Sequence, residues 1–401
     1  MMRNYVSRWG NRRTWLFFLV ALAFLVKVSF GYPMAFQRGY NDTTSEALTV
    51  DATKIFVEQG FKPSAGLVIY KALKTEGPLG DLLRETGIYT HFFPGPEYLL
   101  TLPFSLVKNE GRAIAMGRIL PLLLVFFSIL LFAWLCEKRV FKGWEWGKAI
   151  LAAWIFCTPG IYSWAPSIYG HGYSTACVFF GLCLGLKSGD ELSAKSAGIL
   201  RAVSFALGFV VIYMLLEGVI ITVVAPLVAG LLVAKPKRPR EALILSACVG
   251  FGVLSAFLVH FIQVAVALGS VHNAWLDQVG IAINRTAQRN QITRMQMIGQ
   301  WSRYGGDQFR VDALTMLMVG LFAAWLHLGD AVEGEVKRLR LAFALVLACV
   351  SAYAFPLLLK VHSETHFWRV NRVFQILLAT FATVMVSLAA DHVAARKKLR
   401  S

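Results

Sequence analysis

The chain has 401 residues, 57% of them hydrophobic, and a mean hydropathy of +0.58. That is too apolar for an ordinary soluble domain, and several runs approach the ~20 residues that cross a bilayer as a helix. A net charge of +17 would suggest nucleic acid in a soluble protein, but here the basic residues recur at alternate inter-helix segments, which is the positive-inside pattern and excludes that reading.

Spans are expected at about 14–33, 115–135, 148–164, 173–187, 201–217, 218–234, 242–268, 311–329, 341–360 and 371–390. The expected class is therefore an all-α polytopic membrane protein with about 10 transmembrane helices. Residues 1–401 read as a single integral-membrane domain. The first apolar run follows Arg3, Arg8, Arg12 and Arg13, as a signal peptide would. Ser29-Phe-Gly-Tyr-Pro33 is not a small-residue cleavage site, however, and Lys27 lies inside the run, so an uncleaved first span is expected.

Two segments are too polar for membrane and too long for turns, 35–113 and 269–310. Loops of this length are usually functional or disordered. The first begins with Asp42, Glu46 and Asp51. A carboxylate there could deprotonate an acceptor hydroxyl or hold a metal ion. Thr43-Thr-Ser-Glu46 also matches a capping box. Leu48, Ala52, Ile55 and Phe56 mark one face of a helix over Thr44–Gln59, and Gly60 fits its stop.

Next comes Tyr89-Thr-His91-Phe-Phe-Pro94-Gly-Pro96-Glu97. Two prolines fix the backbone, and a rigid turn can hold an imidazole toward a substrate. Arg118 lies near the outer end of the second span, where a charge is costly unless paired; Asp42 and Glu46 are candidate partners. His171 sits in a short outer loop after Pro166. Glu217-Gly218 is either a tight reversal or a kink in one long helix. In the second outer loop, Arg285, Arg289, Arg294 and Arg303 accompany Trp275, Trp301 and Tyr304, an amphipathic pattern suited to headgroups.

Near the last span stands His362-Ser-Glu364-Thr-His366-Phe-Trp-Arg369-Val-Asn-Arg372. In a helix His362 and His366 share a face. Arginines at an outer end break the charge rule, and phosphate recognition would explain them. The histidine pair with a carboxylate could instead bind zinc. His260 is the one histidine deep in an expected span. All six cysteines lie in or at the edge of expected spans and read as packing residues.

Over about residues 14–135 this layout resembles the polytopic glycosyltransferases of the GT-C fold. More narrowly, it resembles the bacterial branch similar to protein O-mannosyltransferases and aminoarabinose transferases. Glu46 to Gly60 resembles that family's acidic residue and helix, Tyr89, His91, Pro94 and Pro96 its proline turn, and Arg118 the arginine opening its next span. The acidic pair of the family reads Glu46-Ala47 here, and its adjacent prolines are separated.

The resemblance implies amphipathic helices in the large first outer loop and transfer of a sugar from a polyprenyl-phosphate donor to a membrane lipid or glycan acceptor. Transfer would occur on the periplasmic face of a bacterial inner membrane, with both termini cytoplasmic. Asp42, Glu46 and Asp51 are the expected catalytic set. The expected substrate-binding set is Tyr89, His91, Pro94, Glu97, Arg118, His171, His362, His366, Arg369 and Arg372. No cofactor is required by this reading, and a divalent metal ion is left open. The competing classes are a transporter or flippase, and an O-antigen ligase or polymerase.

Overall fold

A computed structural model describes residues 18–26, 45–70, 79–91, 93–141, 145–157, 161, 164–188, 193–233 and 239–286, with short helical stretches between 343 and 351. Residues 18–26 are helical (α1). An outer layer follows: α2 (Ser45–Gln59), a 3-10 turn (Lys62–Ser64), β1 (Val68–Ile69), α3 (Gly80–Thr86), β2 (Ile88–Tyr89) and α4 (Gly95–Leu106). Then come α5 (Glu110–Arg139), α6 (Glu145–Cys157), α7 (His171–Ser188), α8 (Ala194–Met214), α9 (Val219–Leu232) and α10 (Pro239–Ala267). The chain continues into α11 (Val271–Thr286).

Among the described residues, three helices are long and apolar enough to cross a membrane: Glu110–Arg139, Ala194–Met214 and Arg240–Ala267. Gly147–Phe156 and Val219–Leu232 are shorter apolar helices. The expected spans at 311–329 and 371–390 lie outside the described residues. Only pieces of 14–33 and 341–360 are described, and the second outer loop is described only to residue 286.

Side-chain contacts fix the helix directions. Arg201 pairs with Glu241 near one end of α8 and α10, and the Tyr213 hydroxyl donates to Gln263 Oε1 at 3.0 Å near the other. These two helices therefore run parallel. Between them, α9 runs antiparallel to α10, because the Leu227 N–H donates to Ser246 Oγ at 3.1 Å while Gly230 meets Ala242. α7 runs parallel to α9, with Gly181 facing Ala225 and Gly185 facing Pro226. Glu217-Gly218 is thus a tight reversal, closed by the 3-10 turn Leu216–Gly218. It lies at the same end as the start of α7, where the outer layer also packs.

An apolar cluster fills the centre, with Phe24 of α1, Phe126 and Phe132 of α5, Leu151 and Ile155 of α6, and Phe179 of α7 all nearly inaccessible. Ala344 and Ala348 belong to the same cluster. α5 begins at its N-cap Asn109, whose side chain accepts from the Arg112 N–H at 3.0 Å. Cys136, Cys177 and Cys183 are buried packing residues.

The α8–α10 contact needs small residues. A Cβ on Gly208 would strike the Val249 carbonyl, and one on Gly252 would strike the Phe205 carbonyl. Close backbone approach of this kind drives helix pairing in lipid. Gly208→Ala should therefore destabilise the protein by about 1–3 kcal/mol through overpacking. Gly198→Ala, on the same helix with nothing within 4 Å, should not. Thermal unfolding of both variants in detergent checks this; equal melting temperatures would refute it.

Candidate active site

α2 places polar residues on its buried face. Glu46, Thr49 and Thr53 are fully buried and share a stripe at helical spacing with Phe56. Leu48, expected on the apolar face, is instead 38% exposed. The apolar pattern misled at this position because the packed face of α2 meets polar partners.

The first partner is Arg118. Its Nη2 lies 2.7 Å from Glu46 Oε2, with both side chains at 0% exposure. The Ile168 N–H donates to Glu46 Oε1 at 3.3 Å. One carboxylate thus joins α2, α5 and the link before α7.

The second partner is Glu97, in the first turn of α4 and 3% exposed. Thr49 Oγ1 donates to Glu97 Oε1 at 3.2 Å, and Thr53 Oγ1 donates to the Thr49 carbonyl at 2.7 Å. Burial pushes the Glu97 carboxyl from 4.5 up to about 7, against the smaller opposing effects of its own backbone N–H and Thr49. The Tyr70 hydroxyl is held well above its ordinary value, first by burial and then by Glu97, Tyr169 and Tyr89.

The short strands align the aromatic residues. β1 and β2 pair antiparallel, with Val68 opposite Tyr89 and Ile69 opposite Ile88. Tyr70 and Tyr89 rings then lie 4.8 Å apart, and Tyr89 lies 4.8 Å from the His91 ring. His91 is half-buried. Pro94 caps α4, its carbonyl accepting from the Tyr98 N–H at 3.0 Å.

The turn is seated on α8 and α10. The Phe93 ring packs 4.2 Å from His260, 5.3 Å from Tyr213 and 5.4 Å from Phe257. His260 Nε2 donates to the Thr90 carbonyl at 2.9 Å, and Gln278 Nε2 donates to the same oxygen at 3.3 Å. His260 therefore lies about two helical turns from the end of α10, where it anchors the proline turn. Gly95 packs against the Tyr213 carbonyl, and Gly170, at φ +103°, against the Met214 carbonyl. A side chain at either glycine would hold the outer layer off the spans.

His171 starts α7 fully buried, 4.6 Å from the Trp164 ring and 5.4 Å from the Tyr169 ring. Asp51 points away from this cluster: it is exposed, 3.9 Å from Lys54, which itself pairs with Glu110 at 2.6 Å. So Glu46, Tyr89, His91, Pro94, Glu97, Arg118 and His171 come together at one end, and Asp51 does not join them. Asp42, His362, His366, Arg369 and Arg372 lie outside the described residues. Among the described residues there is no group of three or more side chains suited to a metal ion. Thr49, Thr53, Tyr70 and His260 were not singled out from the sequence as members of the site. Their nearest signal was polarity at helical spacing on α2, and an imidazole close to the end of an apolar run.

No protein-family model and no curated protein sequence matches the chain. Its fold is similar to solved structures. The archaeal oligosaccharyltransferase AglB from Archaeoglobus fulgidus, in complex with an inhibitory peptide and a dolichol-phosphate, aligns with a TM-score of 0.51 at 12% identity, over 96% of this chain and 51% of that one. The Archaeoglobus fulgidus oligosaccharyltransferase in complex with Zn and sulfate aligns with a TM-score of 0.50 at 13% identity, over 95% and 50%. The chain thus spans about half the length of these proteins. The likeness is one of fold alone.

Two outcomes follow from this geometry. Arg118→Gln or Glu46→Gln alone leaves a buried partner uncompensated and should cost about 3–5 kcal/mol. The double variant should cost less than the sum of the two, as a double-mutant cycle of unfolding would show. For Glu97 the folded value lies above the unfolded one, so the folded state holds a proton that the unfolded chain has lost between pH 4.5 and about 7. Stability therefore falls as pH rises through that window, by on the order of 3 kcal/mol, and levels off above it. Glu97→Gln should remove this slope in a melting-temperature profile; an unchanged slope would assign it elsewhere.

Proposed function

We propose that the protein is an integral-membrane glycosyltransferase that moves a sugar from a polyprenyl-phosphate donor to a lipid or glycan acceptor at the end where the outer layer packs. The observation that carries this reading is the convergence of Glu46, Arg118, Glu97, His91 and His171 at one end of a helical array with the GT-C fold. A lipid donor suits such a place, since its chain can remain in the bilayer while its sugar reaches polar groups above. That AglB is described with a dolichol-phosphate and a peptide agrees with a lipid-linked donor and a separate acceptor. The narrower kinship with aminoarabinose and protein O-mannosyltransferases, and a bacterial inner membrane with both termini cytoplasmic, belong to this proposal.

The roles divide by environment. Glu46 is held by Arg118 and the Ile168 N–H, so it fixes the acidic start of α2. Asp51 is paired with Lys54 on the exposed side. That leaves Asp42, which precedes α2 in the sequence, as the base that takes the acceptor hydroxyl proton. Attack of the acceptor oxygen on the anomeric carbon breaks its bond to the lipid phosphate oxygen, and one in-line step inverts the centre. Arg369 and Arg372 neutralise the leaving phosphate. Tyr89 and His91 border the sugar, as do His362 and His366, with Pro94 and Glu97 setting the turn and His171 packed against Trp164 and Tyr169. A divalent metal ion near Asp42 would serve the same leaving group.

Asp42→Asn should abolish transfer of radiolabelled sugar by the purified membrane protein, with folding intact. Asp51→Asn should leave transfer within about twofold, because its charge is solvated and paired. Normal transfer by Asp42→Asn would reject this assignment.

A further inference from the structure

An open cavity of about 780 Å³ lies between the 3-10 turn, α4 and the outer end of α10. Phe61, Lys62, Tyr98, Thr101, Gln263 and Val266 line it. It faces away from Glu46 and Arg118. Tyr98 and Leu100 are about 200° apart around α4; Leu100 meets Gly117 beside Arg118, and Tyr98 meets Gly66 at the cavity. Interlocking hydrogen bonds fix the wall. The Tyr98 hydroxyl donates to the Gly66 carbonyl at 2.6 Å. Gln263 Nε2 donates to the Ala65 carbonyl at 3.2 Å and to the Tyr98 hydroxyl at 3.3 Å, and Gln263 Oε1 accepts from Tyr213 of α8. Ala65 is thereby held at φ +51°, where side chains rarely sit.

The bonding capacity left over selects an occupant. Both N–H groups of Gln263 and the O–H of Tyr98 are engaged, and Thr101 Oγ1 donates to the Tyr98 carbonyl at 2.6 Å. The lining therefore offers lone pairs on Gln263 Oε1 and Thr101 Oγ1, together with the exposed Lys62 ammonium, and no carboxylate. A phosphate only accepts, so it would meet one cation and be opposed by two acceptor oxygens. An extended peptide would find the carbonyls of Ala65 and Gly66 already taken, leaving no strand edge to join. Phe61, 44% exposed, presents an aromatic surface, its ring edge-on to Tyr98 at 5.0 Å. A sugar ring matches all of these groups: its C–H face lies on Phe61, and its hydroxyls donate to Gln263 and Thr101 and accept from Lys62. A few polar groups converging in a largely apolar cavity of this size are the usual form of a small-ligand site.

We propose that this cavity is a carbohydrate subsite, holding a ring of an oligosaccharide acceptor remote from the hydroxyl that reacts. The inference rests on the glycosyltransferase reading for the role of the sugar, and on the cavity alone for its chemical class. α2 connects the two places. Its buried stripe begins with Glu46 on Arg118 and reaches Phe56, whose ring is 4.9 Å from Phe61. Ten residues of helix separate them, about 15 Å, the reach of a short oligosaccharide. One ring fixed on Phe61 thus orients the other end of the acceptor at the acidic start of α2. Binding energy gained far from the reacting centre serves orientation there, and it favours an oligosaccharide over a single sugar.

Binding of maltotriose, cellotriose, chitotriose and trigalacturonic acid is measured on the full-length protein in detergent, for the wild type, Phe61→Leu and Thr101→Val. Phe61→Leu keeps apolar bulk and removes the ring; Thr101→Val keeps the shape and removes the acceptor oxygen. At least one trisaccharide is expected to bind the wild type. Phe61→Leu is expected to bind it at least ~10-fold more weakly, about 1.4 kcal/mol, and Thr101→Val ~5-fold more weakly, as for one lost hydrogen bond. Melting temperatures of both variants are expected to match the wild type. Asp42→Asn is expected to bind the same trisaccharide normally and to transfer no radiolabelled sugar to it. If no trisaccharide binds, or all variants bind alike, the subsite is rejected, while transfer to a lipid acceptor would keep the glycosyltransferase reading. If a trisaccharide binds through Phe61 but the wild type never glycosylates it, the carbohydrate site stands and its acceptor role is overturned. If phosphatidylglycerol in nanodiscs binds instead, and weakens on Lys62→Gln, the cavity holds a lipid headgroup and the proposal is overturned.

Discussion

Arg118 is a charged side chain inside a thirty-residue apolar helix, at 0% exposure. Removing such an ion from water costs several kcal/mol even after relaxation. Within α5 nothing could offset that cost. The offset comes from Glu46, seventy-two residues earlier, and the Glu46 carboxylate takes a second donor from Ile168, fifty residues after Arg118. This single buried pair therefore sets where the outer layer may sit. α2 cannot slide or rotate without stranding two charges, and the link before α7 is bound to the same carboxylate. Buried pairs of this kind add little net stability against an apolar alternative. What this pair contributes is position. The Thr49–Glu97 bond, one turn along α2, inherits its geometry from it.

Glu46 and Glu97 illustrate how environment divides similar groups. Both are buried carboxyls reached from one face of α2. Glu46 faces a guanidinium at 2.7 Å. Glu97 has a threonine hydroxyl and its own backbone N–H, and its protonation begins near neutrality. The raised value of Glu97 has a positional consequence. A neutral Glu97 can lie under the tyrosines Tyr70 and Tyr89 without repelling a phosphate brought to the same end. An ionised one would oppose it.

Three of the expected spans, 115–135, 201–217 and 242–268, fall on helices long and apolar enough to cross a membrane, because apolar length is a strong signal. The helix over Ser45–Gln59 and its stop at Gly60 were legible through periodicity and glycine, whereas Glu217-Gly218 left a reversal and a kink open until the 3-10 turn decided it. The proximity of Glu46 and Arg118 was anticipated from the cost of a lone charge in lipid. Other features were hidden for definite reasons. Leu48 fits an apolar stripe, yet the stripe that packs carries Glu46, Thr49 and Thr53, because its partners are polar. His260 reads as a midplane residue because the run around it in α10 is largely apolar, and only the fold shows that the proline turn descends onto it. α4 is apolar from Tyr98 onward, but Pro94 and the break at Val107 confine it to twelve residues. Each of these depends on contacts between segments far apart in sequence, and no local pattern encodes them.

The placement of the proline turn follows from that same tertiary logic. Phe93 enters a pocket of rings from α8 and α10, Gly95 touches the α8 carbonyl at Tyr213, and Gly170 touches the next one at Met214. The last carbonyls of a helix have no intrahelical partner, so the end of α8 is where a foreign backbone can approach most closely. The tight reversal after Met214 keeps that end bare of a longer loop. The outer layer can thus rest directly on these helices. For the proposed transfer from a lipid-borne donor, that closeness would let the donor stay in the bilayer while its headgroup meets the acidic residues of the outer layer.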